Sequence, residues 1–256
     1  MKQNLLLFTA LLACLNFFGQ QVMRPIVNKD YDDLKAAGKL DPKVKYMILP
    51  DKGKENQNNT NSTSKVGPVL PKPDTTGQAC SCMVPVDGTF SVAPFSGYTA
   101  PDYRNDDGST GLITLPFNFC LYGTSYTNVY INNNGNISFQ SSSGVFSSTG
   151  FPNASDIMVA PFWADVDTRN LTSGLVYYKV TPTYMIVKWA AVGYYSQHVD
   201  KLNDFQLIIT NGADPILPSG NNIAFCYGDM DWTTGDASQG VNGFGGVPAT
   251  VGINKG

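Results

Sequence analysis

The sequence predicts an all-β protein: an antiparallel β-sandwich preceded by a signal peptide, a short helix and a disordered linker. Three observations predict it. The chain is 42% apolar and only 14% charged over 256 residues, enough apolar matter for one good core. Its 25 glycines and 16 prolines, with abundant Asn, Ser and Thr, are the vocabulary of turns, and its 13 Tyr and 14 Phe favour strands. Beyond Cys82, alternating segments recur about every ten residues, which implies antiparallel strands rather than alternating strands and helices.

The first element is "MKQNLLLFTALLACLNFFGQQ". One Lys, an apolar run from Leu5 to Phe18 and a polar exit make a secretory signal peptide over residues 1–20. The run is too short to span a bilayer comfortably, and no later stretch approaches a transmembrane length. "LLAC" at Leu11–Cys14 resembles a lipoprotein box, so a lipid anchor at Cys14 is an alternative. The apolar run continues past Cys14, where a lipoprotein turns polar, which favours plain secretion.

Residues 21–50 hold one helix, "NKDYDDLKAAGKL" (Asn28–Leu40), with Asp30 as a cap and Gly38 as the stop. It is too short to be stable alone. From 51 to 79 only four of 29 residues are apolar, the composition of a flexible linker. The folded β-domain is expected over 80–256.

Within it, "GLITLPFNF" (Gly111–Phe119), "LVYYKV" (Leu175–Val180), "TYMIVKWAAV" (Thr183–Val192), "DFQLIIT" (Asp204–Thr210) and "NNIAFCY" (Asn221–Tyr227) read as strands. In "NVYINNNGNISF" (Asn128–Phe139) two alternating runs flank Asn134–Gly135, which predicts a hairpin with a type I′ turn. Val129 and Ile131 then share a side with Ile137 and Phe139. A second hairpin is expected at Lys179–Met185, with Pro182 setting the turn.

Charge is divided along the chain. Gln21–Cys82 carries ten basic and seven acidic residues, whereas the remainder carries six basic and thirteen acidic, all Asp. An acidic, loop-rich β-domain lacks the basic footprint of nucleic-acid binding, so no nucleic acid is expected as a partner. Export implies an oxidising compartment, and Cys80, Cys82, Cys120 and Cys226 make two disulfides of undetermined pairing. A Cys120–Cys226 bridge tying two strands is one expectation, with Cys80 and Cys82 clipping the first strand to the body. Neither C-x-C nor the single His198 makes a zinc site.

"VYINNNGNISF", "MVAPFWADVDTRN", "GLVYYKV", "MIVKWAAVGYY", "NDFQLIITNG", "IAFCYGDMDWTTGDASQG" and "VGINKG" follow one another in that order. This succession resembles the NIDO domain, named for nidogen, from roughly Leu112 to Gly256. The wording is closest to versions in large secreted bacterial surface proteins, which often carry a "CSC" segment and the "NFCLYG" cysteine. The resemblance implies a β-rich, non-catalytic extracellular module that works in cell–matrix adhesion or extracellular protein interaction. Its partners would be extracellular matrix or cell-surface proteins, or glycans. It also implies that more chain usually follows, so a longer adhesin is one expectation.

Three readings compete for Asp165 and Asp167. On a strand they share a face roughly 7 Å apart, a separation compatible with glycoside hydrolysis. Neither has a His or Glu neighbour to tune a general acid. Calcium is the second reading, with Asp229 and Asp231 as further candidate ligands, although none of these loops follows the spaced twelve-residue calcium pattern. The third and preferred reading is structural, with Arg169 neutralising one acid. Hence no enzyme activity, no catalytic residue and no required cofactor are expected. Among the three tryptophans, Trp189 alternates with Met185 and Val187 and reads as core. Trp232, in a Thr- and Gly-rich stretch, is the ligand-facing candidate. Its exposure would favour the alternative function, a carbohydrate-binding module of a secreted glycan-processing system. His198 reads as a solvated loop residue.

Overall fold

The computed structural model describes residues 24–41, 44, 46–49 and 82–256. The expected signal peptide, Cys14, the expected linker over 51–79 and Cys80 lie outside the described residues.

The described residues begin with β1 (Arg24–Val27), α1 (Asn28–Ala36) and β2 (Tyr46–Leu49). β3 (Ser91–Val92), β4 (Ile113–Leu121), β5 (Thr124–Asn132), β6 (Asn136–Ser138), β7 (Met158–Trp163) and β8 (Val166–Asp167) follow. β9 (Leu175–Val180), β10 (Tyr184–Tyr194), β11 (His198–Thr210), β12 (Ile223–Met230) and β13 (Thr250–Asn254) complete it. One sheet has the order β12-β11-β10-β9-β3, with β8 also on β10, and the other is β13-β7-β6-β5-β4. Every pairing in these two sheets is antiparallel, whereas β1 and β2 pair in parallel and join neither sheet. The protein is an antiparallel β-sandwich.

The core lies between the sheets. Val129, Ile131, Ile137 and Phe139 share the inward side as the alternation demands, facing Met185, Val187, Trp189, Phe205, Leu207 and Ile209. Trp189 stacks on Phe205 with ring centroids 5.0 Å apart. β10 is covered on both faces, because Ile186 packs outward against Ile208, Leu217 and Cys226. That outer cover is the entering chain at Cys82–Val84 and Phe90.

The first hairpin forms where expected but with a different turn. Asn132 pairs with Asn136, leaving a three-residue loop, Asn133–Gly135, and only Gly135 takes a positive φ, +74°. A type I′ turn needs positive φ at both central residues, whereas a three-residue loop needs one left-handed Gly at its end. A Cβ on Gly135 would lie 1.8 Å from the Phe162 carbonyl oxygen, so glycine is required for the approach of β7 as well. The second hairpin closes with the Thr181 N–H donating to the Tyr184 carbonyl at 2.9 Å, around Pro182. β11 begins at His198, six residues before the expected strand, so the presumed loop is only the tight connection 195–197.

α1 is shorter than expected and stops at Ala36, with Gly38 at φ +65° ending it. Asp30 is not the cap: Val27 takes the N-cap position and no side chain caps it. Asp30 instead sits in the first turn, where a carboxylate favours the helix dipole.

The cysteines differ from the strand-to-strand expectation. Cys82 is bonded to Cys226, closing a loop with a sequence separation of 144, and Cys120 is free and exposed. Cys120 points outward from β4 in one sheet, while Cys226 points outward from β12 in the other, under the entering chain. A Cys120–Cys226 bridge would have to cross sheets between side chains that face away from the shared core.

Candidate functional site

Five loops and one helix meet on the outer side of the stretch that follows β7. In "APFWADVD", Phe162, Ala164 and Val166 are buried in the core, and Asp165 and Asp167 alternate to the other side. That side is not open to water: Asp165 is 1% and Asp167 0% exposed. The loop between β3 and β4 covers it with Asp106 and Asp107, also buried, and α1 covers it with Tyr31 and Lys35.

Lys35 is the centre. Its Nζ donates to Asp106 Oδ2, Asp107 Oδ2 and Asp165 Oδ1, each at 2.7 Å. The Tyr195 and Phe146 rings flank the ammonium at 4.2 and 4.5 Å, close enough for cation–π attraction. The Tyr31 hydroxyl donates to Asp107 Oδ2 at 2.8 Å. Beside this cradle, Arg169 grips Asp167, Nε to Oδ1 at 2.9 Å and Nη2 to Oδ2 at 2.6 Å, and reaches Asp32 of α1 at 3.0 Å. The Gln197 N–H completes Asp167 at 2.9 Å.

The "NNNG" loop is the scaffold. The Asn133 amide donates to the Asp106 and Val166 carbonyls, and its own carbonyl accepts from Trp189 Nε1 at 2.9 Å. The Asn134 amide donates to Asp107 Oδ1 at 2.6 Å while its oxygen accepts the Val166 N–H at 3.0 Å. Arg104 gathers the next loop by donating to the Thr168, Asn170 and Ser173 carbonyls. The cradle is therefore held from the core outward by fully buried amides.

Its electrostatics follow from burial and neighbours. Burial opposes the charge on Lys35, yet Asp106, Asp107 and Asp165 together outweigh it and hold the ammonium well above the ordinary lysine range. Burial pushes Asp165 up to about 7, against the pull of Lys35 and with the repulsion of Asp107. Asp106 is raised well above the carboxylate range by burial and by Asp107. Burial lowers and its carboxylate neighbours raise Arg169, and the neighbours win. Asp32, Asp106, Asp107, Asp165 and Asp167 are five carboxyl groups around two cations, Lys35 and Arg169.

Asp165 and Asp167 thus lie together but with separate cations, Lys35 and Arg169. Among the described residues the acids that bring ligand-capable oxygens within 4.8 Å of one another are Asp106, Asp107 and Asp165. Asp229 and Asp231 are exposed and do not join them. Trp232 is not ligand-facing. It is 1% exposed, packs edge-on to Phe162 at 5.3 Å, and donates Nε1–H to the Val192 carbonyl at 3.1 Å. Asn203, itself fully buried, bonds the backbone on both sides of it and draws the stretch inward. Trp163 and Trp189 are buried too. His198 lies on β11, stacked on Tyr194 and 2.8 Å from Asp236, rather than in a solvated loop.

Sequence reasoning missed Lys35, Tyr31, Asp106 and Asp107. Asp106 and Asp107 stand in an acidic run, "DYRNDDGS" (Asp102–Ser109), and supply two of the three carboxylates. No local pattern marks Lys35, one of ten basic residues in a basic N-terminal stretch.

A cleft of about 320 Å³ opens beside the cradle, between β2 and the sandwich, lined in part by Tyr46, Tyr98, Tyr130, Ser109, Thr110 and Ser142. Among the described residues no helix is long and apolar enough to cross a membrane.

Human alpha-tectorin is 33% identical over 180 residues, 59% of this chain. Chicken (Gallus gallus) alpha-tectorin is 32% identical over 196 residues, 65% of this chain. The nidogen of Drosophila melanogaster is 24% identical over 201 residues, 62% of this chain. The chain spans only 8%, 9% and 14% of those proteins respectively. No solved structure matches it. The NIDO-related family model matches residues 83–256, which takes in both sheets and every cradle residue except those of α1. The chain belongs to the NIDO-related family.

Proposed function

We propose that this protein is a secreted, non-catalytic NIDO-type module that acts in adhesion or protein interaction outside the cell. The observation that carries the reading is the fate of the acid pair. Asp165 and Asp167 are buried and each is bound to a protein cation, so neither can meet a substrate. Membership of a family shared with alpha-tectorin and nidogen supports an adhesive or assembly role, and the Cys82–Cys226 bridge fits an exported protein. Placement on a bacterial surface rests on the wording of the motifs alone, since the relatives named above are animal proteins. The direct test is binding of the secreted chain to immobilised matrix and cell-surface proteins. Saturable binding supports the reading, and its absence across a broad panel removes it.

A glycan-binding role is the second reading. Burial of Trp232 argues against the form of it that relied on that ring. The cleft with three tyrosines and several hydroxyls favours another form, because flat rings beside hydroxyl groups suit a sugar and its volume is within the range of small-ligand sites. A glycan array decides it: binding lost on Tyr98→Ala and Tyr130→Ala supports the cleft, and a blank array sinks it.

We propose also that the cradle needs no calcium, because the Lys35 ammonium already occupies the point where the three carboxylates converge. Millimolar calcium is then expected to leave Tm unchanged; a clear rise would assign the ion a site.

A further inference from the structure

The N-terminal segment and the sandwich meet as two separable bodies of contact. Among the described residues β1 and β2 pair only with each other, and no backbone ladder joins them to either sheet. Polar contacts cross the seam from Tyr31, Asp32 and Lys35. The apolar ones gather on Phe146, which packs with Tyr31, Leu40, Ile26, Tyr46 and Ile48. The cradle itself is a receptor for a primary ammonium: three carboxylates to receive its protons, two rings to flank it, and walls that exclude water. Without the helix, Arg169 is the cation left beside the cluster among the described residues, and its ion pairs reach Asp106 and Asp167 but not Asp107 or Asp165. An unpaired cluster of buried carboxylates is strongly unfavourable, so the cradle demands a lysine from some source.

Covalent connection does not decide the source. Residues 50 to 81, 32 in all, separate Leu49 from Cys82. Their contour reaches roughly 110 Å at full extension. That is several times the roughly 16 Å radius of gyration expected for a domain of this size. The segment is equally able to seat in its own sandwich or in a neighbour's, since the contacts are identical.

We infer that Arg24–Leu49 is an exchangeable donor, and that copies of this chain link when the Lys35 helix of one fills the carboxylate cradle of another. At low concentration the tether favours the segment's own cradle. At the high local concentration of a surface or a matrix, exchange into neighbours links copies head to tail, into rings or open chains. The inference goes beyond the adhesion reading and stands separately from it, because it concerns self-association with no other partner present.

The test uses the full secreted chain in two isotopic forms, ¹⁴N and ¹⁵N, mixed in equal amounts and joined with a short lysine-to-carboxylate cross-linker. Links between residues 24–49 and 82–256 are then read by mass spectrometry over a dilution series. The expected result is mixed-isotope links that rise with protein concentration and vanish in Lys35→Ala. A parallel loss of large species is expected in sedimentation. Same-isotope links alone at every concentration would overturn the inference. So would mixed links that persist unchanged in Lys35→Ala. Should that variant fail to fold, the concentration dependence in the unaltered chain still decides between own-cradle and neighbour seating.

Discussion

At the scale of the residue, Lys35 and Asp165 carry the most consequence. Lys35 is fully enclosed and satisfies three carboxylates, so Lys35→Met keeps most of its stem and removes only its charge. Removing one partner from a buried ion cluster typically costs about 3–5 kcal/mol, and chemical denaturation should report a loss in that range. Asp165 makes the protein sensitive to pH. Its folded pKa of about 7 lies above the unfolded value of roughly 3.9. The folded state therefore holds this proton more tightly. The stability it contributes is complete below the unfolded pKa and is lost as pH rises through about 7. Asp106 and Asp32, both raised by burial, act in the same direction. Lys35, Asp107, Asp167 and Arg169 face the same cluster and set how far the shift goes. Stability is expected to fall between about pH 4 and pH 7, from the unfolded to the folded pKa, and Asp165→Asn should flatten that slope. An unchanged slope in the variant would remove Asp165 as its source. None of this was legible from Lys35 in the sequence, because its role depends on a contact across 130 positions. Asp165 and Asp167 were legible as a pair, but a pair of acids on one face reads alike whether it awaits a metal, a substrate or a lysine.

At the scale of the element, the hairpin β5–β6 shows what periodicity captures and what it leaves out. Alternation placed Val129, Ile131, Ile137 and Phe139 on one side because a strand's side chains have a period of two, and burial follows that period. The Asn-Gly pair marked a turn but not its length, since loop length depends on which residues pair across the strands. The three asparagines read as turn formers, yet Asn133 and Asn134 are buried and act as hydrogen-bonding struts to the β3–β4 loop and β8. Composition alone cannot separate these uses. Gly135→Ala tests the element: a left-handed φ and a carbonyl 1.8 Å from the new Cβ both oppose it. A loss of more than about 2 kcal/mol is expected in thermal or chemical unfolding. The helix teaches the converse. Its boundaries came mostly from propensity and were overlong, while its order comes from docking Tyr31 and Lys35.

At the scale of the molecule, the sandwich was legible because many segments alternate and their order is distinctive, so errors in single strands do not disturb the whole. The disulfide was not, since four cysteines allow three pairings and only the sheets decide which side chains face one another. Cys82–Cys226 fastens the entering chain over the outer face of β10–β12. In the chain-entropy model a loop of this length stabilises by about 5 kcal/mol, and native bridges in secreted domains typically contribute about 2–5. Cys226→Ser should lower stability within that range. Reduction of the unaltered protein should do the same, and an unchanged melting curve after reduction would count against the bridge.

The family match begins at Met83, one residue beyond Cys82 and far beyond Lys35. Anyone trimming the protein to that limit would discard two fastenings at once: the covalent clasp on one flank and the counter-ion for the acids on the other. Such a truncated product should be judged as a different polyelectrolyte, more acidic, more dependent on low pH and added salt, and a poor stand-in for the native module in any binding assay.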